Sequence, residues 1–289
     1  MQAILLAAGF GTRLKPYTHI KPKPLFPVCN QPLLDIGLKM LEEAGCNKIV
    51  VNCHHLAEQM REALAQYPEV IIQKEQEILG TGGSLREALR HFSAEPVLVM
   101  NGDIYHDIDL AALYQFHADT QAKVTMAVHD YPRFNSLTMD KGKITSFSGA
   151  QNSTKAFTGV HVVDPHVIEM IPETVFFHII DLYSELAASG DIAAYPVDGC
   201  FWCDMGTPAD YLELHKRLLA GHPQAKQWII DTTALIGKDV RFSGWGVVGK
   251  NVVIGAGASL TNAVVWENAV IAPESVIADA IVTGMDGHD

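Results

Sequence analysis

The sequence predicts an α/β fold: a Rossmann-like, mostly parallel sheet flanked by helices, followed by a short C-terminal parallel (left-handed) β-helix. Three observations predict it. Short apolar runs alternate with amphipathic segments through the first half of the chain. A glycine-containing turn directly follows the first apolar run. The last fifty-odd residues repeat an apolar anchor every six positions.

Residues 3–7 are continuously apolar, as expected of a strand buried on both faces. Helical apolar spacing follows at 33–41, a strand at 48–53, a helix at 56–65, a strand at 70–73 and a helix at 84–91. Residues 96–101 read as strand and 110–117 as helix. Strands alternating with helices mean a largely parallel sheet, and ligands of such sheets bind beyond the carboxyl ends of the strands. The loops at 8–23, 74–83 and 101–107 fall at those ends. Stretches 122–129, 143–147 and 156–163 read as strands closing a second pocket, and 181–188 and 208–219 as helices.

A turn-rich boundary, Ala220-Gly221-His222-Pro223-Gln224, divides the chain into domains 1–224 and 225–289. Beyond it, Val248, Ile254 and Leu260 are six apart, as are Val265, Ile271 and Ile277 after a slip of one. Small residues follow the anchors, as in Gly255-Ala256-Gly257-Ala258. This is the hexapeptide pattern of a parallel β-helix, with apolar side chains inside and small residues at the corners. Its open ends call for a covering surface, on the first domain or on a second copy in a homo-oligomer.

The 289 residues carry a formal net charge of −12, which argues against a general nucleic-acid binder. An anionic substrate must then be held by local cations and backbone N–H groups against the global field. No apolar run is long enough to span a membrane, and the N-terminus lacks the basic segment of a signal peptide. Five scattered cysteines suggest free thiols in a reducing, cytoplasmic compartment. Cys200 and Cys203 have C-x-x-C spacing, a weak metal or redox signal beside the plainer reading of half-buried strand residues. His54, His55 and His106 invite a zinc reading, but no cysteine or further histidine lies at ligand spacing, and solvated or hydrogen-bonded loop residues are expected.

The chemistry concentrates in Leu6-Ala7-Ala8-Gly9-Phe10-Gly11-Thr12-Arg13-Leu14, followed by Pro22-Lys23-Pro24-Leu25-Phe26-Pro27-Val28. Glycines after a buried strand let backbone approach a ligand, and successive N–H groups can form an anion nest. Arg13 and Lys23 add fixed cations. A plain glycine turn would explain the glycines but not the cations grouped with them. The spacing is neither the dinucleotide-binding G-x-G-x-x-G nor a Walker A loop.

On these residues the sequence resembles the sugar-1-phosphate nucleotidyltransferases, or NDP-sugar pyrophosphorylases, whose signature is L-x-A-A-G-x-G-T-R-L and then P-K-P. The resemblance covers nearly all of residues 1–220 and extends to Leu79-Gly80-Thr81-Gly82-Gly83, Asn101-Gly102-Asp103, Phe157-Thr158-Gly159 and Trp202-Cys203-Asp204-Met205-Gly206-Thr207-Pro208. Within the family the chain looks most like the short bacterial enzymes for N-acetylmuramate 1-phosphate and mannose 1-phosphate. The resemblance implies transfer of a nucleotide from a nucleoside triphosphate to a sugar 1-phosphate, with Mg²⁺, releasing pyrophosphate. Both reactants are anions, so catalysis is positioning and charge neutralisation.

It further implies that Leu6, Ala8, Gly9, Gly11, Thr12 and Arg13 bind the nucleotide, with Arg13 on the leaving pyrophosphate. Lys23 meets the α-phosphoryl oxygens; Lys21 is its competitor, but Lys23 occupies the P-K-P frame. Gly80, Thr81, Gly82 and Gly83 pack against the base, with Gln73 and Glu75 as side-chain readers. Thr158 and Gly159 line the sugar pocket. Asp103 and Asp204 are the metal ligands, since Mg²⁺ takes hard carboxylate oxygens and leaves positions to phosphates and water; Asp107 and Asp109 are expected to be solvent or cap residues. The Glu–Asn pair that holds an acetamido sugar in larger relatives has no counterpart near residues 147–148 or Thr158.

Three other functions compete. A cytidylyltransferase for phosphocholine or another alcohol phosphate would share the N-terminal loop, but a choline pocket needs an aromatic cage and the sequence offers none. An acyltransferase built on the hexapeptide repeat would need a base there, and the only histidine is His288. A non-catalytic sugar-nucleotide sensor is disfavoured because Arg13, Lys23, Asp103 and Asp204 are all present.

Overall fold

The computed structural model describes residues 1–147, 149, 153–173, 175–221 and 227–284. Ser148, His222, Pro223, Gln224 and His288 lie outside the described residues, and with them the expected domain boundary. The chain forms two compact units. One gathers Met1–Phe10, Pro22–Pro24 and Leu34–Trp202; the other gathers Gly11–Lys21, Leu25–Leu33 and the chain from Cys203 onward.

The first unit is built on a nine-stranded sheet. Its strands are β1 (Gln2–Leu6), β2 (Lys48–Cys53), β3 (Val70–Lys74), β4 (Val97–Asn101), β5 (Val124–His129), β6 (Thr138–Asp140), β7 (Lys143–Ser146), β8 (Ala156–Val163) and β9 (Ile192–Pro196). They lie in the order β3-β2-β1-β4-β8-β5-β9-β7-β6. Seven run one way; β8 and β7 reverse. β1 is central to the parallel half, and its Ala3, Ile4 and Leu5 are at most 1% exposed, which is what the continuous apolar run required.

Helices follow their apolar spacing. Leu33–Glu43 buries Leu34, Leu38 and Leu41 on one stripe. Asp109 caps Leu110–Thr120 by accepting the Ala112 N–H at 2.9 Å, the cap role expected of it. The helix expected at 84–91 begins earlier, as Gly80–Ala88, with a helical turn Leu89–His91 after it. Residues 80–83 therefore form a first helical turn rather than the end of a loop. Their N-terminal N–H groups find acceptors in the chain itself: Gly82 and Gly83 N–H donate to Phe177 O at 2.9 and 3.3 Å, which offsets the poor helix propensity of glycine. β9 escaped the sequence reading because Ile-Ala-Ala-Tyr-Pro is short, alanine-rich and ends in proline.

In the second unit, residues between Trp228 and Val282 form two parallel sheets. One holds Trp228–Ile230, Arg241–Val248, Ser259–Val265 and Val276–Val282; the other holds Leu235–Ile236, Val253–Ile254 and Val270–Ile271. Partners are 17 or 18 residues apart, as in Val253↔Val270 and Arg241↔Ser259. All six expected anchors join one apolar cluster, Val248, Ile254, Leu260, Val265 and Ile271 buried and Ile277 partly so. The cluster also takes in Val252, Ala258, Ala269 and Val282. Asn251 and Asn268 stack at left-handed corners (φ 57° and 62°), the first donating to the second at 3.2 Å.

The same unit joins these sheets to residues 11–21 and 25–33. Trp266 packs on Phe26 with ring centroids 4.7 Å apart and donates to the Tyr211 hydroxyl at 3.1 Å. Tyr211 in turn donates to Pro27 O, and Asn30 donates to Val248 O at 2.9 Å. Lys21 forms an ion pair with Glu267 and lies over the Trp266 ring.

The sheet unit also buries a histidine. His161, on β8, is 2% exposed, and neither ring nitrogen has a hydrogen-bond partner among the described residues. Burial pushes it down to about 3. Unfolded, the same ring takes a proton near pH 6.5. Its protonation therefore adds no cost above that pH and weakens the fold as pH falls from 6.5 towards 3, by about 1.4 kcal/mol per unit. His161→Phe should make urea stability less sensitive to acid by about one proton between pH 6 and 4.5. An unchanged slope would mean that the ring is not held neutral.

Candidate functional site

In the sheet unit, register brings the carboxyl ends of four parallel strands level. Leu6 pairs with Asn52 on one side and Asn101 on the other, and Asn52 pairs with Gln73. The segments that leave this row are 7–9, 53–55, 75–79 and 102–103, so Leu6, Ala8, Gly9, Gln73, Glu75 and Asp103 share one edge of the sheet. Gly102 N–H donates to Leu6 O at 2.8 Å, which fixes where Asp103 begins. Lys23 is 5% exposed and donates from Nζ to Asp103 Oδ2 at 2.7 Å. Burying an ammonium is costly unless it is paired, and here the pair leaves the carboxylate 41% exposed. A cation and a solvent-reachable carboxylate thus stand together at a strand end.

Thr158 and Gly159 sit on β8 beside that row. The Thr158 hydroxyl donates to Ala127 O at 2.8 Å and also receives the Val160 N–H at 3.3 Å. Gly159 has φ +81°, and a Cβ there would stand 2.8 Å from Asn101 Nδ2, so only glycine fits beside the strand end. The Thr158 carbonyl accepts from the Trp202 indole at 2.9 Å. Trp202 is ringed by His129, Tyr131 and Phe134 at centroid distances of 4.6, 5.4 and 5.6 Å. This aromatic group is invisible in the sequence, because its members are spread over seventy-odd residues. Its centre is filled by Trp202, 4% exposed, so it is a packed wall rather than an open cage.

In the second unit, Gly11 adopts a left-handed conformation (φ 59°) and starts the helical turn Thr12–Leu14. Thr12 and Arg13 are exposed. The Arg13 guanidinium lies 3.9 Å from Asp204 Oδ2, a contact in which the carboxylate is only 14% exposed. Gly206 makes room for it: a Cβ there would stand 2.6 Å from Asp204 Oδ2 and 3.0 Å from Arg13 Nη1. Thr207 then caps the helix Pro208–Ala220, accepting the Asp210 N–H at 3.2 Å with Pro208 at the first helical position.

The remaining expectations resolve separately. Cys200 and Cys203 are free thiols, and burial pushes Cys203 up to about 11. His54 and His55 pack against Phe10 at 5.4 and 5.8 Å. His106 is buried, accepting the Ile108 N–H at 3.2 Å, and burial pushes it down to about 4. Among the described residues no three His, Cys, Asp or Glu side chains converge to hold a metal, and no helix is long and apolar enough to cross a membrane.

Gln73 and Glu75, expected to read the base, turn inward. Gln73 donates to Ser84 O at 3.0 Å and has an unpartnered buried oxygen. Glu75 has both carboxylate oxygens engaged, by Asn52 Nδ2 at 2.8 Å and Leu79 N–H at 3.3 Å. Asn52, which the sequence reading missed, lies at the end of a run that reads only as a buried strand.

A family model described as nucleotidyl transferase matches residues 2–221. The chain belongs to the nucleotidyl transferase family. It is similar to a UTP–glucose-1-phosphate uridylyltransferase of Synechocystis, 27% identical over 98% of this chain and 87% of that one. A mannose-1-phosphate guanylyltransferase of Mycobacterium tuberculosis is 27% identical over 96% of this chain and 83% of its own. Among solved structures, HddC from Yersinia pseudotuberculosis superposes with a TM-score of 0.65, covering 75% of this chain and 99% of that one at 24% identity. A Bacillus anthracis protein crystallised with sucrose gives 0.69 at 18% identity, over 77% and 96%. At these identities the structures bear on fold alone.

Proposed function

We propose that this nucleotidyl transferase moves a nucleotidyl group from a nucleoside triphosphate to a sugar 1-phosphate of the glucose, mannose or N-acetylmuramate type. The observation that carries the reading is the buried Lys23 paired with Asp103 at the end of β4, in a family member whose similar proteins are named for glucose 1-phosphate and mannose 1-phosphate. A phosphate oxygen of the sugar 1-phosphate attacks the α-phosphorus, the bond from that phosphorus to the bridging oxygen breaks, and pyrophosphate leaves with the electron pair. Lys23 donates to the α-phosphoryl oxygens as their charge grows. Arg13, exposed and only loosely engaged by Asp204, takes the leaving pyrophosphate. Gly9, Gly11 and Thr12 offer backbone N–H groups to the phosphates, with Leu6, Ala8, Gly80, Thr81, Gly82 and Gly83 shaping the nucleotide's surroundings and Thr158 and Gly159 those of the sugar.

Asp103 and Asp204 suit Mg²⁺ by donor chemistry: hard carboxylate oxygens, each already beside a cation that phosphates can engage instead. When bound, the ion would supply charge neutralisation to the phosphates.

The reading extends to the tail, a short parallel β-helix forming a domain from about residue 225 and joining copies of the chain. Support comes from the 17- and 18-residue steps between strands and from Leu235, Val253 and Val270, which are in register and 66, 38 and 72% exposed. Five free thiols suit a cytoplasmic enzyme.

Lys23→Ala should lower kcat by on the order of 100-fold, more than it raises KM for the triphosphate. Lys21→Ala should do far less, because Lys21 is engaged by Glu267. A crippled Lys21 variant beside an active Lys23 variant would reverse the assignment. Asp103→Asn and Asp204→Asn should each raise the Mg²⁺ concentration needed for half-maximal rate, since an amide keeps the size and loses the charge. Unchanged half-saturation in both would remove the two aspartates as ligands.

A further inference from the structure

Two buried polar side chains stand outside the groups assigned to phosphate, metal and sugar. Asn52, on β2, is 2% exposed, and Glu75, just after β3, is 5% exposed. The Asn52 Oδ1 accepts the Ala7 N–H at 2.6 Å, and its Nδ2 donates to Glu75 Oε1 at 2.8 Å. The other Glu75 oxygen accepts the Leu79 N–H at 3.3 Å, and the Glu75 N–H donates to Cys53 O at 2.8 Å. Ala7 belongs to the glycine-containing loop after β1. Leu79 immediately precedes Gly80-Thr81-Gly82-Gly83. The relay therefore links the backbones of the two segments assigned to the nucleotide, seventy-odd residues apart in sequence.

We propose that Asn52 and Glu75 are positioning residues that set the spacing of these two segments, and through it the enzyme's hold on its nucleoside triphosphate. The inference rests on the nucleotidyl-transfer reading. Neither side chain need touch the nucleotide: the Asn52 amide oxygen and nitrogen and both Glu75 oxygens each already have a partner in the other side chain, in Ala7 or in Leu79. The order of donors and acceptors along the relay is strict. Ala7 N–H and Leu79 N–H are both donors pointing inward, so the two side chains between them must together supply two acceptors outward and one donor–acceptor contact in the middle. An amide with a carboxylate meets that condition.

Polarity also makes the relay testable. Asn52→Asp brings two carboxylates face to face in a buried site. Glu75→Gln leaves a donor against a donor whichever way its amide turns, either at Asn52 or at Leu79. The double variant Asn52→Asp/Glu75→Gln restores the pattern with its direction reversed. The new carboxylate at position 52 would accept from Ala7 and from the new amide at position 75. The oxygen of that amide would accept from Leu79, and the net charge would be unchanged.

The experiment titrates UTP and GTP into the full-length wild type, both single variants and the double variant. Pyrophosphate release and melting temperature are followed on the same samples. Each single variant should weaken triphosphate binding on the order of tenfold, the usual effect of one buried mismatch, and raise KM more than it lowers kcat. The double variant should return to within about threefold of wild type. Should Asn52→Asp not fold, Asn52→Ser removes the same contacts without adding charge and should show the same loss. Single variants that melt earlier but bind triphosphate as the wild type does would overturn the proposal, as would a double variant carrying the summed loss of the two singles. A wild type that binds triphosphate without releasing pyrophosphate would sink the transfer reading instead, while the binding pattern across the four proteins would still decide the relay.

Discussion

The backbone at the end of β1 is held from both sides, and the chemistry of the sheet unit depends on that constraint. Gly102, beyond β4, donates to Leu6 O, and Asn52, on β2, accepts from Ala7 N–H. Both neighbours run parallel to β1, so all three chains leave the sheet at one level. A glycine-containing loop is soft on its own, because glycine restrains its backbone least. Tied at its root to two rigid neighbours, it can present N–H groups in a fixed direction, which electrostatic catalysis requires. The same level carries Asp103 and, through it, the ammonium of Lys23.

A chain of net charge −12 that handles polyanions must concentrate its cations locally. Each unit sets one cation beside a carboxylate: Lys23 with Asp103 in the first, Arg13 with Asp204 in the second. They differ in environment. Lys23 is buried and its direction is set by packing, whereas the Arg13 side chain is 62% exposed and longer in reach. This difference matches the division of labour proposed for them: one cation fixed on the reacting phosphorus, the other following a leaving group. Lys21, two residues before Lys23, is committed to Glu267 and Trp266.

Much of this architecture was legible in the sequence. β2 and β8 were readable to the residue, because each is dominated by apolar and β-branched residues. The glycine loop and the P-K-P frame were legible because their residue types are dictated locally, by backbone approach and by charge. The six tail anchors were legible because a period survives in one dimension, and all six meet in one cluster. What escaped was whatever depends on partners distant in sequence. Asn52 reads as one more strand residue until Ala7 and Glu75 stand beside it. Trp202, His129, Tyr131 and Phe134 give no periodic signal. The reversal of β8 and β7 within the sheet cannot be read from either strand alone, since antiparallel and parallel neighbours bury the same apolar face. Residues 80–83 misled because glycine signals a loop; here the segment around Phe177 supplies the contacts that keep them helical.

Nucleotidyl transfer to a sugar 1-phosphate would be followed as pyrophosphate release by the 289-residue chain. ATP, CTP, GTP, UTP and dTTP would each be offered with glucose, mannose and N-acetylmuramate 1-phosphates and with choline phosphate, with and without Mg²⁺. Release is expected with at least one triphosphate and one sugar 1-phosphate, only when Mg²⁺ is present, and none with choline phosphate. Release from CTP and choline phosphate alone, or none with any sugar 1-phosphate, would overturn the assignment of a sugar 1-phosphate acceptor.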